Sequence, residues 1–240
     1  MPSHTSTFSP ARWVAATRGD GERVPGAWTK ELLNSARGDS FSLLRLAAGG
    51  GLALAASADH RILVLDGRLS IAAGGTGPAR DHRTGAYAVL PGEGDAVVSS
   101  SDGALALVLA GKRLGAPADD VFSPQGWLES GPGQWYRLLL DVAFDETFDE
   151  RVVGLSYFEP GSSSPRHPHR TAHRFLFLDG EADDELVFPD GTRHTAHRAR
   201  GDFVDYPYPI EHQTFSRTGC TILFLHEPLP SADSDSASTG

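Results

Sequence analysis

The feature that most constrains this chain is an eight-residue text that occurs twice. His60-Arg-Ile-Leu-Val-Leu-Asp-Gly67 returns as His173-Arg-Phe-Leu-Phe-Leu-Asp-Gly180, the same at six of eight positions. Its middle is apolar at consecutive positions, as a strand reads when both of its faces are covered. One face would line a barrel; the other would pack on the second copy or on another subunit. Short apolar segments surround each copy: 42–46, 52–56, 62–65, 87–90 and 105–109 in the first half, then 135–142, 152–158, 175–178, 203–206 and 221–225 in the second. Gly, Pro and Asp punctuate them, and turns are read at Glu159-Pro-Gly161, Asp179-Gly180, Pro189-Asp-Gly191 and Thr218-Gly219. That rhythm predicts an all-β protein built from two copies of one β-unit, each a sandwich or barrel. The single helical expectation is a turn or two over 28–35.

The 240 residues then divide into a loosely held arm over 1–26, a first unit over 27–112, a Gly- and Pro-rich linker over 113–134, a second unit over 135–230 and a disordered tail over 231–240. A lone cysteine, Cys220, excludes an intrachain disulfide and a thiolate-rich zinc site, so any metal must sit on His and carboxylates. A formal net charge of −10 disfavours a surface that tracks nucleic-acid phosphates, since that needs clustered Lys and Arg. No apolar run is long enough to span a membrane and no leader pattern opens the chain. The expectation is therefore a cytoplasmic protein with neither nucleic-acid nor membrane partners.

His167-Pro-His169-Arg-Thr-Ala-His173 places three imidazoles within seven residues. In an extended segment His167 and His169 project from one face, because strand side chains alternate. Neutral imidazoles suit Zn, Fe, Ni or Cu rather than Ca or Mg.

These residues resemble the cupin superfamily in its two-domain form. The first cupin motif spaces a glycine, five residues, His-X-His, three or four residues, a glutamate, six residues and a glycine; Gly161, His167, His169, His173 and Gly180 meet every spacing, with His173 in the glutamate place. The second motif is met by Gly201, Pro207, Pro209 and His212, with Pro209 in a glycine place. The resemblance covers roughly residues 28–229. It implies two tandem cupin (double-stranded β-helix, or jelly-roll) barrels, with one divalent metal on His167, His169, His173 and His212. In the first half the corresponding places fall on Leu54, Ala56, His60 and near Ala96, so that copy is read as a degenerate cupin without metal ligands, a structural or dimerising half. A homodimer acting on a small molecule is the expected assembly.

The second half also looks like the zinc-binding ChrR-type and acetylacetone-cleaving-type cupins, through 158–161, 179–185 and 216–221. That likeness implies oxygen-dependent cleavage of a small carbonyl or enolate-forming substrate by Fe(II), with O2 as co-substrate; Zn, Ni and Cu are the alternative metals. A redox-neutral isomerase or decarboxylase would use the same site. So would a non-catalytic sensor of the ChrR type, although the helical zinc-binding domain of such regulators needs a His/Cys spacing that the first half lacks.

Parity from the ligand strand places Phe175 and Phe177 inward as apolar walls. Tyr206, Tyr208 and Thr214 are candidate contacts to substrate or to the ligating histidines, and no catalytic group beyond the metal is assigned. Elsewhere His194 and His197 read as a solvated hairpin, His226 as surface, His4 and His82 as loop residues, Cys220 as a small buried residue and 181–185 as a solvated acidic turn.

Overall fold

A computed structural model describes residues 13–17, 21–34, 40–55, 60–73, 77–90, 95–110, 114–140, 152–168, 171–206 and 209–228. His4, His169, Tyr208 and the tail over 231–240 lie outside the described residues. Among the described residues there are nineteen strands and no helix; none of them forms a helix long and apolar enough to cross a membrane. The chain separates into two compact units between Gly126 and Trp127.

The first unit contains β1 (Val14–Thr17), β2 (Arg23–Asn34), β3 (Ser40–Leu46), β4 (Gly51–Ala55), β5 (His60–Ala73), β6 (Arg80–Arg83), β7 (Tyr87–Val89), β8 (Asp95–Ser99) and β9 (Ala104–Ala110). They pair in the order β1-β2-β3-β9-β5-β8-β4, with β6 and β7 also on β5. The second unit contains β10 (Leu128–Gly131), β11 (Gln134–Leu138), β12 (Val152–Phe158), β13 (Ser162–Ser163), β14 (His167–Pro168), β15 (Thr171–Val187), β16 (Arg193–Ala199), β17 (Phe203–Tyr206), β18 (Glu211–Ser216) and β19 (Cys220–Pro228). Their order is β10-β11-β12-β19-β15-β18-β13, with β14 on β18 and β16 and β17 on β15. Apart from β14, which has no separate counterpart, this is the first order again, so the repeated text marks a repeated barrel.

The repeat lies on the strand that joins the two sheets of each barrel. The first half of β15 pairs with β19 and β17, and its second half with β16 and β18. β5 does the same with β9 and β7, then β6 and β8. Between the halves the ladder register shifts, at Val64/Asp66 and at Phe177/Asp179. Gly67 and Gly180 follow with φ of 81° and 71°. A Cβ on either would overlap the carbonyl oxygen of Gly103 or Gly219, so glycine is required by space as well as by backbone angle. Asp179-Gly180 is therefore a bend inside one continuous strand, where the sequence reading expects a turn. Glu159-Pro-Gly161, Pro189-Asp-Gly191 and Thr218-Gly219 do separate strands.

Four further expectations are corrected. Residues 14–17 and 23–26 of the expected arm belong to β1 and β2, and β2 runs extended through 28–34 where a helical turn was read, because its pairing with β3 satisfies the backbone. The expected linker over 113–134 is divided: Ala118 exchanges backbone hydrogen bonds with Tyr87 at 2.8 and 2.9 Å in the first unit, whereas β10 and β11 form a hairpin on β12 of the second. The acidic run 181–185 is the second half of β15, in which Asp184 is fully buried between inward-facing Ala182 and Leu186.

The second barrel's core gathers Val152, Phe158, Phe175, Phe177, Ala182, Leu186, Val204, Tyr206, Ile210, Cys220, Ile222 and Phe224. Along β19 the inward residues are every second one, Cys220, Ile222 and Phe224.

Candidate metal centre

Two antiparallel registers bring the imidazoles together. His167 on β14 stands opposite His212 on β18, and His173 on β15 opposite His226 on β19. The His167 and His212 rings lie 4.8 Å apart between centres at 63°; those of His173 and His226 are stacked at 3.4 Å and 19°. All four line one pocket of about 140 Å³, together with Phe158, Phe175, Ile222 and Phe224 as apolar wall and Ser130, Gln134, Tyr136, Ser156, Ser164 and Thr214 as its polar positions. That volume is close to the ~150 Å³ of a cavity that holds benzene. Among the described residues no Lys, Arg, Asp or Glu lines it.

The segment carrying His167 is tied to the strand carrying His212. Ser164 Oγ accepts from the Thr214 backbone N–H at 3.0 Å, and its carbonyl accepts from Gln213 Nε2 at 3.0 Å. Arg166 and Arg193 both bind Glu185, at 2.5 and 3.0 Å. His167 Nδ1 lies 2.8 Å from the Pro165 carbonyl oxygen. A carbonyl only accepts, so that nitrogen carries the proton and Nε2 keeps the lone pair, the arrangement that a ligating histidine needs.

Burial lowers the His212 pKa to about 3, with His167 and His226 as further causes. Burial, and then His167, does the same to His226. Both rings are neutral at ordinary pH.

Phe175 packs against His212 and His173 at 5.5 and 5.7 Å between ring centres, and Tyr206 against His212 at 5.3 Å. Tyr206 donates its hydroxyl proton to buried Asp184, which also accepts from Thr214 Oγ1 at 2.6 Å and lies 3.4 Å from Arg198 Nε. Desolvation raises the Asp184 pKa, against the two hydroxyl donors and Arg198. Tyr206 and Thr214 thus brace the histidine strand from behind, and Thr214 also reaches the pocket lining. Phe177 is fully buried in the core but is not part of the pocket lining.

The donor set suits a divalent transition metal in kind: neutral, mostly buried imidazoles on apolar walls. It suits one in spacing for one pair. With a metal–nitrogen bond of ~2.1 Å, two imidazoles on one ion hold their ring centres roughly 4.5–5.5 Å apart, as His167 and His212 do. The stack of His173 on His226 is too close and too parallel for both to reach the same ion. Among the described residues no group of three or more His, Cys, Asp or Glu side chains closes on one point.

His226 is the residue that sequence reasoning placed wrongly. It is 6 % exposed, because it continues the inward face of Cys220, Ile222 and Phe224. Period-two alternation would have found it. Asp184 was legible in the same way, between Ala182 and Leu186. His82 lies on β6 rather than in a loop. His194 and His197 are exposed on β16, His197 Nδ1 lying 3.0 Å from Asp183 Oδ1. Cys220 is buried, which pushes its thiol up to about 11.

The first barrel pairs Leu54 with Ala96 where the second pairs His167 with His212, and His60 with Ala110 where the second pairs His173 with His226. Leu54 and Ala96 pack into an aliphatic core.

No protein-family model and no curated protein matches the chain. Solved structures do. A cupin 2 conserved barrel domain protein from Leptotrichia buccalis aligns over 85 % of this chain and 90 % of its own at 14 % identity, with a TM-score of 0.59. A single-residue variant of oxalate decarboxylase from Bacillus subtilis aligns over 94 % of this chain and 77 % of its own at 14 % identity, TM-score 0.60. The same decarboxylase, in a study of its Mn(II) centres, aligns over the same shares at 13 % identity, TM-score 0.57. The fold is thus the cupin barrel, present twice in tandem.

Proposed function

We propose that the second barrel is a metal-dependent enzyme acting on a small carbonyl compound that forms an enolate, of the Fe(II) dioxygenase type. The observation that carries this reading is the pocket itself: four imidazoles on apolar walls, with no charged side chain lining it among the described residues. His167, His169, His173 and His212 would hold the ion. A divalent ion there supplies Lewis acidity toward a carbonyl or enolate oxygen and, as Fe(II), reactivity toward O2. All-imidazole ligation leaves the full charge of that dication for an enolate, which meets no cationic side chain in the pocket among the described residues.

The remaining work falls to the protein's own side chains. Phe158, Phe175, Ile222 and Phe224 exclude water and admit an alkyl or aryl body about the size of benzene. Gln134 and Tyr136 offer uncharged hydrogen bonds. Tyr206 and Asp184 hold β17 and β18 so that the His212 ring is fixed. A decarboxylase would use the same histidines, but a dicarboxylate would find no Arg or Lys lining this pocket among the described residues, which favours a ketone.

The test is metal analysis of purified protein followed by oxygen uptake with small β-diketones and hydroxyketones. Iron with substrate-dependent O2 consumption is the expected result. Tightly held zinc with no turnover would sink it and favour a metal-binding sensor.

A further inference from the structure

We propose that His226 stands beside the metal rather than on it, as the hydrogen-bonding partner of whatever molecule occupies the ion's open positions. This rests on the metal-centre reading above. Four features of the barrel support it.

The first is place. His226 faces inward at the end of β19, opposite His173 in the ladder, and lines the same pocket as His167 and His212. The second is orientation. Rings stacked at 3.4 Å and 19° lie nearly parallel, so their planes do not converge on one ion. With His173 in the ligand place of the first motif, His226 would stand against the face of the His173 ring and beside an ion held there. That is where a group bound next to His173 would be met.

The third is the internal repeat. The first barrel has lost the imidazoles at the places of His167 and His212, and it has Ala110 at the place of His226, yet it keeps His60 at the place of His173. Within this one chain, a histidine at the β19 place occurs only in the barrel that also has imidazoles at the places of His167 and His212. The fourth is the rest of the lining. Among the described residues no Lys, Arg, Asp or Glu lines the pocket, so an anion bound there meets uncharged groups, of which His226 lies within the histidine cluster. A neutral imidazole offers one N–H donor and one acceptor nitrogen, so His226 suits an anionic oxygen or nitrogen atom bound to the ion. A hydrogen bond to a charged group contributes enough to change affinity by roughly tenfold or more.

The experiment uses the full chain loaded with cobalt(II) and azide as the probe, read by visible absorption. His226→Phe keeps an aromatic ring against His173 and removes the hydrogen bond; His226→Gln restores a donor and an acceptor. Thermal unfolding of each variant verifies the fold, and His226→Leu replaces His226→Phe in the comparison if the larger ring prevents folding. Expected is one cobalt per chain in every variant, azide affinity reduced about tenfold or more in His226→Phe, and most of it recovered in His226→Gln. A folded His226→Phe that loses its cobalt makes His226 a ligand and overturns the proposal. Azide affinity equal to wild type in His226→Phe overturns it while leaving the metal centre standing, as does a cobalt-loaded wild type that takes no azide. A wild-type chain that takes no cobalt overturns both readings.

Discussion

Desolvation holds two pocket imidazoles neutral, and that has a thermodynamic signature. His212 and His226 titrate at about 3 in the folded chain against an ordinary 6.5. Below pH 6.5 the unfolded chain takes up protons that the folded chain refuses. Stability of the metal-free protein is therefore fully present above 6.5 and is lost as pH falls from there toward 3, by up to about 1.4 kcal/mol per pH unit for each ring. Thermal unfolding of the metal-free chain should show a Tm that is flat from pH 7.5 to 6.5 with respect to these groups and declines below it. A Tm unchanged down to pH 5 would contradict the burial of these two rings. Metal uptake by the folded chain should hold over the same interval as far as His212 is concerned, since its imidazole stays neutral until the pH approaches 3. At this scale the sequence displayed the candidate donors His167, His173 and His212 through their spacing, and the structure brings all three to one pocket. It hid His226, because the residues that define its inward face, Cys220, Ile222 and Phe224, end in a histidine that reads as the start of a polar loop.

The element that builds the site is β15. One strand delivers His173 to the pocket and, past the bend at Gly180, Asp184 to the network that holds Tyr206 and Thr214. Gly180→Ala would place a methyl group against the Gly219 carbonyl and impose a left-handed φ on alanine. A loss of stability of about 1–3 kcal/mol or more is expected, with weakened metal binding, measured by urea unfolding and by cobalt titration. An unperturbed variant would show that the bend is not needed. The Asp-Gly pair reads locally as a turn because a reversal and a bulge demand the same positive φ; only the ladder on either side decides between them. β10 and the turn that leads into β11 fall inside the expected linker for a related reason. Its Gly and Pro density is as typical of connectors as of tight hairpins, and the pairing partner β12 lies beyond residues 141–151. The strand rhythm itself, and the repeat, were plain from alternation and punctuation.

At the scale of the whole chain, two barrels of equal strand order carry unequal interiors. The first fills the places of His167 and His212 with Leu54 and Ala96. One metal per chain is therefore expected from elemental analysis, unchanged in His60→Ala and abolished in His212→Ala. Metal loss in the His60 variant would overturn the one-centre assignment.

The duplicated strand also bears on how the chain reaches its structure. β5 and β15 carry nearly the same text, bulge at the same offset and receive partners in the same order, so during folding β9 and β19 each meet two acceptors with almost identical local preferences. A crossed pairing would satisfy the backbone as well as the correct one and be rejected only when side chains pack, since Ala110 cannot stand in for the His226 ring against His173. Crossed intermediates of this kind are a recurrent hazard of tandem repeats. Here Ala110 in one barrel and His226 in the other give each β-unit an interior by which its own strands are sorted.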